Sequence, residues 1–536
     1  LILVFLFLRY PSMFPILSDL WRLARAGIVL SRHDALIPRE YAHHLPPPLR
    51  WFGRMLRLGA KTSEAGRALR PGERLAKAFE GLGPFYVKTG QFMATRPDII
   101  GFEMAADLGR LQDKMPAFDQ SLAVAEIEKT FGQKIHDIFP DFSGPIAAAS
   151  IAQAHKATLG DGRKVAVKIL RPNIERRAAK DFRALGRLAS LVELMAPGAR
   201  RMEPKKFIAT LREAAELEFD LRLEAGAASE LADNLGNDKS IRIPRVIWPL
   251  SSKRILTLEW IDGTGLGDIA ALEAREIDKK ALARQVLQSF LTQALQQGFF
   301  HADMHQGNMI VDRQGRLALI DFGIMGRLDS AVRNTFAQIL YGFITRDYQH
   351  TAKMHFDAGY VPGHHSVEAF AQALRSVGEP LYGQDATGMD MSRVLQQLFD
   401  VTALFDMHLR PELIMLQRTM VTVEGVARML DPTINMWETA EPVVRTYITD
   451  RVGPRYHAER LREAVLKTAA MAPQLPGYVE DIANAAARIA DNKITLSEQT
   501  TTALAAALSK DQRSTRRVVL LAGLIIAVLL VFLLRG

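Results

Sequence analysis

The chain has 536 residues, more than one domain needs, and 48% of them are hydrophobic. It contains no cysteine, which excludes disulfides, thiolate zinc sites and cysteine nucleophiles. Lys and Arg number 68 against 59 acids, a formal charge of +9 that points to anionic surroundings.

The basic excess is concentrated at the front. Residues 1–70 hold 11 Lys/Arg and 4 Asp/Glu, a difference of +7, together with Trp and Leu. That suits the lipids of an anionic membrane surface. Nucleic acid is the rival partner, but no base-reading motif accompanies the charge, so none is expected. The run Leu1 to Leu8 is too short to span a bilayer and lacks the basic region of a signal peptide. Pro46-Pro47-Pro48 breaks the chain after the basic front, and residues 71–135 read as helical.

Chemistry begins near residue 146. The segment Ile146-Ala147-Ala148-Ala149-Ser150-Ile151-Ala152-Gln153 stands before a hairpin, where a glycine-rich phosphate loop would be expected. Alanine permits close backbone approach but disfavours the positive φ that glycine adopts freely. Nucleotide phosphates are therefore expected to be held differently here, with Ile146 to Ser150 and Gln153 as candidate contacts. The hairpin turns at Asp161-Gly162 and runs into Val165-Ala166-Val167-Lys168. A lysine ending such a strand is placed to offset the charge of α- and β-phosphates. Lys206 to Leu235 reads as one Ala-, Leu- and Glu-rich helix. It carries Glu218, Asp220 and Glu224, and Glu224 is the candidate partner of Lys168. Glu259-Trp260-Ile261-Asp262-Gly263 stands where a hinge would cross to a second lobe and offer backbone hydrogen bonds to adenine.

The richest stretch is His301-Ala302-Asp303-Met304-His305-Gln306-Gly307-Asn308, followed by Asp321-Phe322-Gly323. Met309–Val311 and Leu317–Ile320 read as strands around the turn Gln314-Gly315. That hairpin sets Asn308 beside Asp321, two oxygen ligands suited to Mg²⁺. Asp303 then faces the phosphoryl acceptor as catalytic base. Ala302 stands where kinases carry the arginine that reads a phosphorylated activation loop. Only five residues separate Gly323 from Asp329, a candidate N-cap, and no Ala-Pro-Glu follows. The nucleotide machinery is expected and a peptide-docking platform is not. A metal pair of His301 and His305 is the alternative, but it leaves Asn308 and the hairpin unexplained.

Residues 330–510 read as helical with no chemistry of their own. Val518 to Leu534 is an uninterrupted run of 17 apolar residues preceded by Arg513, Arg516 and Arg517. It is at the short end for a spanning helix, and its flanks predict a cytoplasmic bulk, with a bacterial inner membrane as the expected location.

Together, Lys88-Thr89-Gly90-Gln91, TRPDII, LQDKMP, the AAAS loop, VAVK, EFDLRLE, EWIDG, HADMHQGN and DFG occur in order over about residues 80–330. In this the chain resembles the UbiB family of atypical kinase-like proteins, linked to ubiquinone biosynthesis. The resemblance implies an α+β, two-lobed kinase-like fold with helical N- and C-terminal extensions. The expected division is 1–70 basic segment, 71–135 helical extension, 136–262 small lobe, 263–440 large lobe, 441–517 helical region and 518–534 transmembrane helix. By resemblance, Lys88 and Gln91 fold over the site as regulators, with Glu218 and Asp220 as their acidic partners. ATP and Mg²⁺ are the implied cofactors. Quinone precursors and the enzymes that modify them are the implied partners. Two classes of function follow: an ATP-dependent kinase or ATPase, and a nucleotide-sensing scaffold without turnover. A conventional protein kinase is third.

Overall fold

The computed structural model describes residues 13–36, 69–94, 100–109, 111, 115–195, 200, 203–236, 241–379, 397, 401, 404–407 and 411–451. The front is helical: α1 (Met13–Arg32), α2 (Pro71–Leu82), α3 (Pro84–Ala94), α4 (Phe102–Leu108), α5 (Gln120–Phe131) and the single turn α6 (Ile135–Ile138). Then come β1 (Asp141–Ala148), β2 (Ala152–Thr158) and β3 (Lys164–Leu170). Three helices follow, α7 (Ile174–Met195), α8 (Pro204–Glu218) and α9 (Leu221–Leu235), before β4 (Ile241–Arg242), β5 (Ile255–Glu259) and β6 (Gly263–Gly265). Next are α10 (Ile269–Ala274), α11 (Lys279–Thr292), β7 (Phe299–His301), β8 (Met309–Asp312), β9 (Leu317–Leu319) and β10 (Met325–Arg327). The described chain closes with α12 (Ser330–Ile344), α13 (Tyr348–Asp357), α14 (Val367–Gly378), α15 (Pro411–Leu430) and α16 (Met436–Arg451).

The small-lobe sheet has the order β1-β2-β3-β5, antiparallel throughout. Alternation along β3 decides its two faces. Val165, Val167 and Ile169 pack with Ala123, Ile127 and Phe139 of α5, α6 and their flank. Lys168 is thereby turned to the opposite face, and Leu170 joins the main core with residues of α9. The hairpin before β3 turns on Gly162 at φ 85°, and the β8–β9 hairpin turns on Gly315 at φ 80°. Both are left-handed positions that favour glycine. The second sheet has the order β4-β9-β8-β6, and β7 pairs with β10.

One expected helix is two. The chain from Lys206 to Leu235 breaks at Phe219-Asp220, where Asp220 caps α9 by accepting from the Arg222 N–H at 3.1 Å. The cap satisfies a donor that an unbroken helix would have bonded internally, so propensity alone gave no sign of it. The 17-residue apolar run and residues 452–517 lie outside the described residues. Among the described residues no helix is long and apolar enough to cross a membrane.

The helices after the large lobe build a satellite core in which Phe370, Leu374, Val401 and Phe405 are buried. His355 of α13 sits in it, donating from Nδ1 to the Thr351 carbonyl at 2.8 Å with its ring 5.2 Å from Phe370. Burial presses its pKa down to about 4, with the Thr351 bond opposing. An unfolded histidine titrates near 6.5, so the unfolded chain takes up this proton first. The stability His355 contributes is complete above pH 6.5 and is lost as pH falls toward 4. Chemical denaturation should register a loss of up to about 3 kcal/mol across that window. His355→Gln should flatten this part of the curve, and an unchanged slope would remove the assignment.

Candidate active site

Three segments meet at Lys168. Its Nζ donates to Glu224 Oε1 and Oε2 of α9 at 2.7 and 3.0 Å. It also reaches both carboxylate oxygens of Asp321 at 3.3 Å. Burial disfavours the Lys168 ammonium, but Asp321 and Glu224 more than offset this and hold it protonated. Asp321 is likewise penalised by burial, yet Lys168, the Gly323 N–H and nearby Lys88 hold it ionised well below the usual carboxylate range. Glu224 is pushed up to about 7, by burial first, with Lys168 opposing and the like charge of Asp321 reinforcing.

The catalytic segment is set by its backbone. The Ile320 N–H donates to the Asn308 carbonyl at 3.1 Å, which seats Asn308 beside the start of Asp-Phe-Gly. Asn308 Nδ2 donates to the Asp303 carbonyl at 3.0 Å and lies 3.4 Å from Asp303 Oδ2. With its nitrogen so engaged, the amide oxygen of Asn308 is left for another partner. His301 is buried and neutral. Its Nδ1 accepts from the Asp303 N–H at 3.1 Å and its Nε2 donates to the Asp321 carbonyl. Both ring nitrogens are spent in tying the two motifs together, so His301 is not half of a metal pair with His305. A π-helical turn, Gln293–Gln297, precedes β7 and aims Gln293 Oε1 at the His301 N–H, 3.0 Å away.

The N-terminal extension closes one side. Lys88 of α3 pairs with Glu218 of α8 at 2.7 Å, with side chains 17% and 21% exposed. Gln91 is one turn on and donates to the Leu111 carbonyl at 3.4 Å. Asp220 does not join them. Its carboxylate binds Arg222 at 2.6 and 2.8 Å and caps α9. Of the expected regulatory set, Lys88 and Glu218 meet, while Gln91 and Asp220 serve other partners.

The loop candidates also divide. Ile146, Ala147 and Ala148 belong to β1, after a register shift between Pro145 and Ala147. The Ala148 carbonyl accepts from the Met115 N–H at 3.1 Å, and the Ala149 N–H donates to Ala152 O at 2.8 Å. Arg171 donates to the Ala149 carbonyl from Nε and Nη2 at 3.0 and 2.7 Å. The loop is stapled from two sides, and Ser150 within it is buried. Gln153 needs correction as a nucleotide contact through its side chain, and the hinge expectation for Glu259 concerned its backbone, whose N–H donates to the Arg245 carbonyl at 2.8 Å. Gln153 is buried, accepting from the Phe118 N–H at 2.9 Å and meeting His155 at 2.9 Å. Glu259 pairs with Arg242 at 2.6 Å. Neither side chain is free to reach a nucleotide.

The helices after residue 330 do take part, against expectation. Ala302 donates its N–H to Ile324 O at 3.0 Å and accepts from Thr419 Oγ1 of α15 at 3.0 Å. The neighbouring Arg418 guanidinium is disfavoured by burial and favoured by the Asp303 charge. No spacing in the sequence links residue 418 to residue 303.

The fold is that of the kinase-like proteins. The ABC1 atypical kinase-like domain matches residues 110–355 and the UbiB helical domain matches 374–435. The probable protein kinase UbiB of Marinobacter nauticus is 35% identical over 472 residues, covering 87% of this chain and 85% of that protein. Among solved structures, the complex of Rv3197 with erythromycin from Mycobacterium tuberculosis is similar over 66% of this chain and 90% of that one, at 23% identity and a TM-score of 0.49. The chain belongs to the UbiB family.

Two tests follow from the extension. Gly90 packs α3 against its neighbours so closely that a Cβ would overlap Leu111 Cδ1 and stand 2.7 Å from Phe79 Cδ2. Gly90→Ala should cost about 1–3 kcal/mol of thermal stability. An unchanged melting temperature would show that the packing relaxes freely. For the ion pair, a double-mutant cycle on Lys88→Met and Glu218→Gln should give a coupling of about 1 kcal/mol. Strictly additive effects would mean the pair contributes nothing.

Proposed function

We propose that this protein is a magnesium-dependent, ATP-using kinase or ATPase that works at a membrane surface in support of ubiquinone biosynthesis. The observation that carries the reading is the contact of Lys168 with Glu224 and Asp321 beside Asp303 and Asn308. A lysine held charged by two carboxylates is what a phosphate chain needs as a fixed counter-charge. Asp321 stays ionised and Asn308 keeps its amide oxygen available, so both fit a hard, oxygen-seeking cation. Magnesium bound there would neutralise charge on the β- and γ-phosphates. Asp303 would accept the proton of an attacking hydroxyl, either an acceptor's or water's. His301 keeps Asp303 and Asp321 in register through their backbones.

Several features favour an acceptor other than an extended peptide. Ile324 to Leu328 are consumed by the β7–β10 pairing and by the Leu328 bond to Gly298 O at 2.8 Å. Asp329 caps α12 at once, accepting from the Val332 N–H at 2.8 Å. The related protein's name, probable protein kinase UbiB, supports a kinase reading for that protein and by likeness for this one.

Membrane attachment is supported by α1. Leu17, Leu20, Trp21 and Ile28 are exposed along one stripe. The other side docks on α7, with Asp19 bound to Arg183 and Arg187 at 2.9 and 2.7 Å and Arg22 to Asp181 at 2.6 Å. An apolar stripe facing away from the protein, in a segment with a +7 excess, suits an anionic lipid surface. The run 518–534 would add a spanning anchor at the inner membrane, leaving the bulk cytoplasmic.

Phosphate release from the purified full chain, with and without anionic vesicles and quinone precursors, tests the reading. Asp303→Asn should reduce release by about two orders of magnitude or more. Asp321→Ala should abolish the magnesium-dependent thermal shift with ATP or ADP. Native release in Asp303→Asn would reject the catalytic base. Intact nucleotide binding with no release from the native chain would favour the scaffold.

A further inference from the structure

A second convergence of ligand-type side chains lies in the helical region, away from the nucleotide cleft. His364 and His365 stand just before Ser366, the N-cap of α14. Asp406 follows the far end of the same satellite core, in the left-handed backbone region at φ 47°, which Asp tolerates. His365 Nε2 lies 3.3 Å from Asp406 Oδ2, and His364 Nε2 lies 3.7 Å from the same oxygen. The ligand atoms of all three residues lie within 4.8 Å of one another.

A direct hydrogen bond explains only part of this. The His365 contact is a long hydrogen bond, whereas 3.7 Å is beyond one for His364. Yet the two rings crowd together, with centroids 4.1 Å apart. In a tetrahedral zinc site with bonds of about 2.0–2.1 Å, neighbouring donors stand about 3.3–3.4 Å apart. The two nitrogen–oxygen separations are within a few tenths of an ångström of that edge. Two imidazoles and a carboxylate also form a ligand set suited to zinc and cobalt, not to magnesium or calcium. The site is preset on one side and open on the other. His365 is 20% exposed and its ring stands 5.3 Å from the buried Phe405. His364 and Asp406 are 66% and 68% exposed, which leaves room for a water ligand.

We infer that His364, His365 and Asp406 form a three-ligand site for a divalent transition metal of the zinc type. Its ligands come from the two chain segments that bracket α14. A bound ion therefore clips the start of α14 to residue 406 and steadies the satellite core that leads into α15.

The test uses the untagged full chain, stripped with chelator, exchanged into chelator-free buffer and kept in excess Mg²⁺ to occupy oxygen-ligand sites. Calorimetric titration with Zn²⁺ should give one equivalent bound at micromolar concentration or tighter. His364→Ala and Asp406→Asn should each weaken it at least tenfold. Both residues are exposed, so the variants should keep the native circular dichroism spectrum and phosphate release. Co²⁺ should give a ligand-field absorption in the native chain that both variants lose. No zinc uptake by the native chain, or equal uptake by native and variant chains, would overturn the site.

Discussion

The site depends on keeping one ammonium between two carboxylates, of which Glu224 is buried and Asp321 is 40% exposed. Lys168, Glu224 and Asp321 are far apart in the chain, and removing Lys168 leaves two facing carboxylates with no counter-charge between them. This constraint fixes much of the surrounding architecture. β3 must present Lys168 on the face away from α5. The α9 helix must lie with its first turn at the sheet, and Glu224 in that turn gains from the positive end of the helix. The β8–β9 hairpin must return to a set register to deliver Asp321. His301, bonded to the backbones of both Asp303 and Asp321, holds that delivery fixed.

The break between α8 and α9 follows from the same demand. A continuous helix from Lys206 to Leu235 would carry Glu218 and Glu224 on one rod, with their directions fixed by the helical repeat. The kink at Phe219-Asp220 frees them. Glu218 can then meet Lys88 of the extension while Glu224 meets Lys168. Asp220 belongs to the kink as its cap. An acidic motif read as a paired unit is therefore three carboxylates with three tasks.

What was legible in the sequence was what period and local turn chemistry decide. Alternation in KVAVKIL, the glycines at 162 and 315, and the short path from Gly323 to Asp329 each have one cheap local solution. The kinase-like fold and the family followed from their order. What was illegible was set by distant partners. Gln153 looks like a loop polar residue, but strand pairing carries it inward, where Phe118 and His155 satisfy it. Glu259 stands at the hinge position, yet Arg242 claims it. Arg418 and Thr419 had no local signature, because their relation to residues 302 and 303 exists only once α15 packs on the large lobe.

The proposed divalent cation would answer the charge of this site. Lys168 against Glu224 and Asp321 sums to −1 when all are ionised, and Asp303 makes it −2. Lys88 is paired with Glu218 and still helps to lower the Asp321 pKa. A cluster of that sign repels a polyphosphate. A divalent cation at Asp321 and Asn308 would bring that sum to zero, and it would compete with Lys168 for the Asp321 oxygens, which lie 3.3 Å from the ammonium. Lys168 would then be free to turn toward phosphate while Glu224 keeps it anchored. Glu224 is pushed up to about 7 by burial first, with the like charge of Asp321 adding to it and Lys168 opposing. Metal and nucleotide should therefore bind as one unit. The stapled alanine loop is consistent with this, since its Ala149 amide is already spent on Ala152 and adds little positive potential of its own.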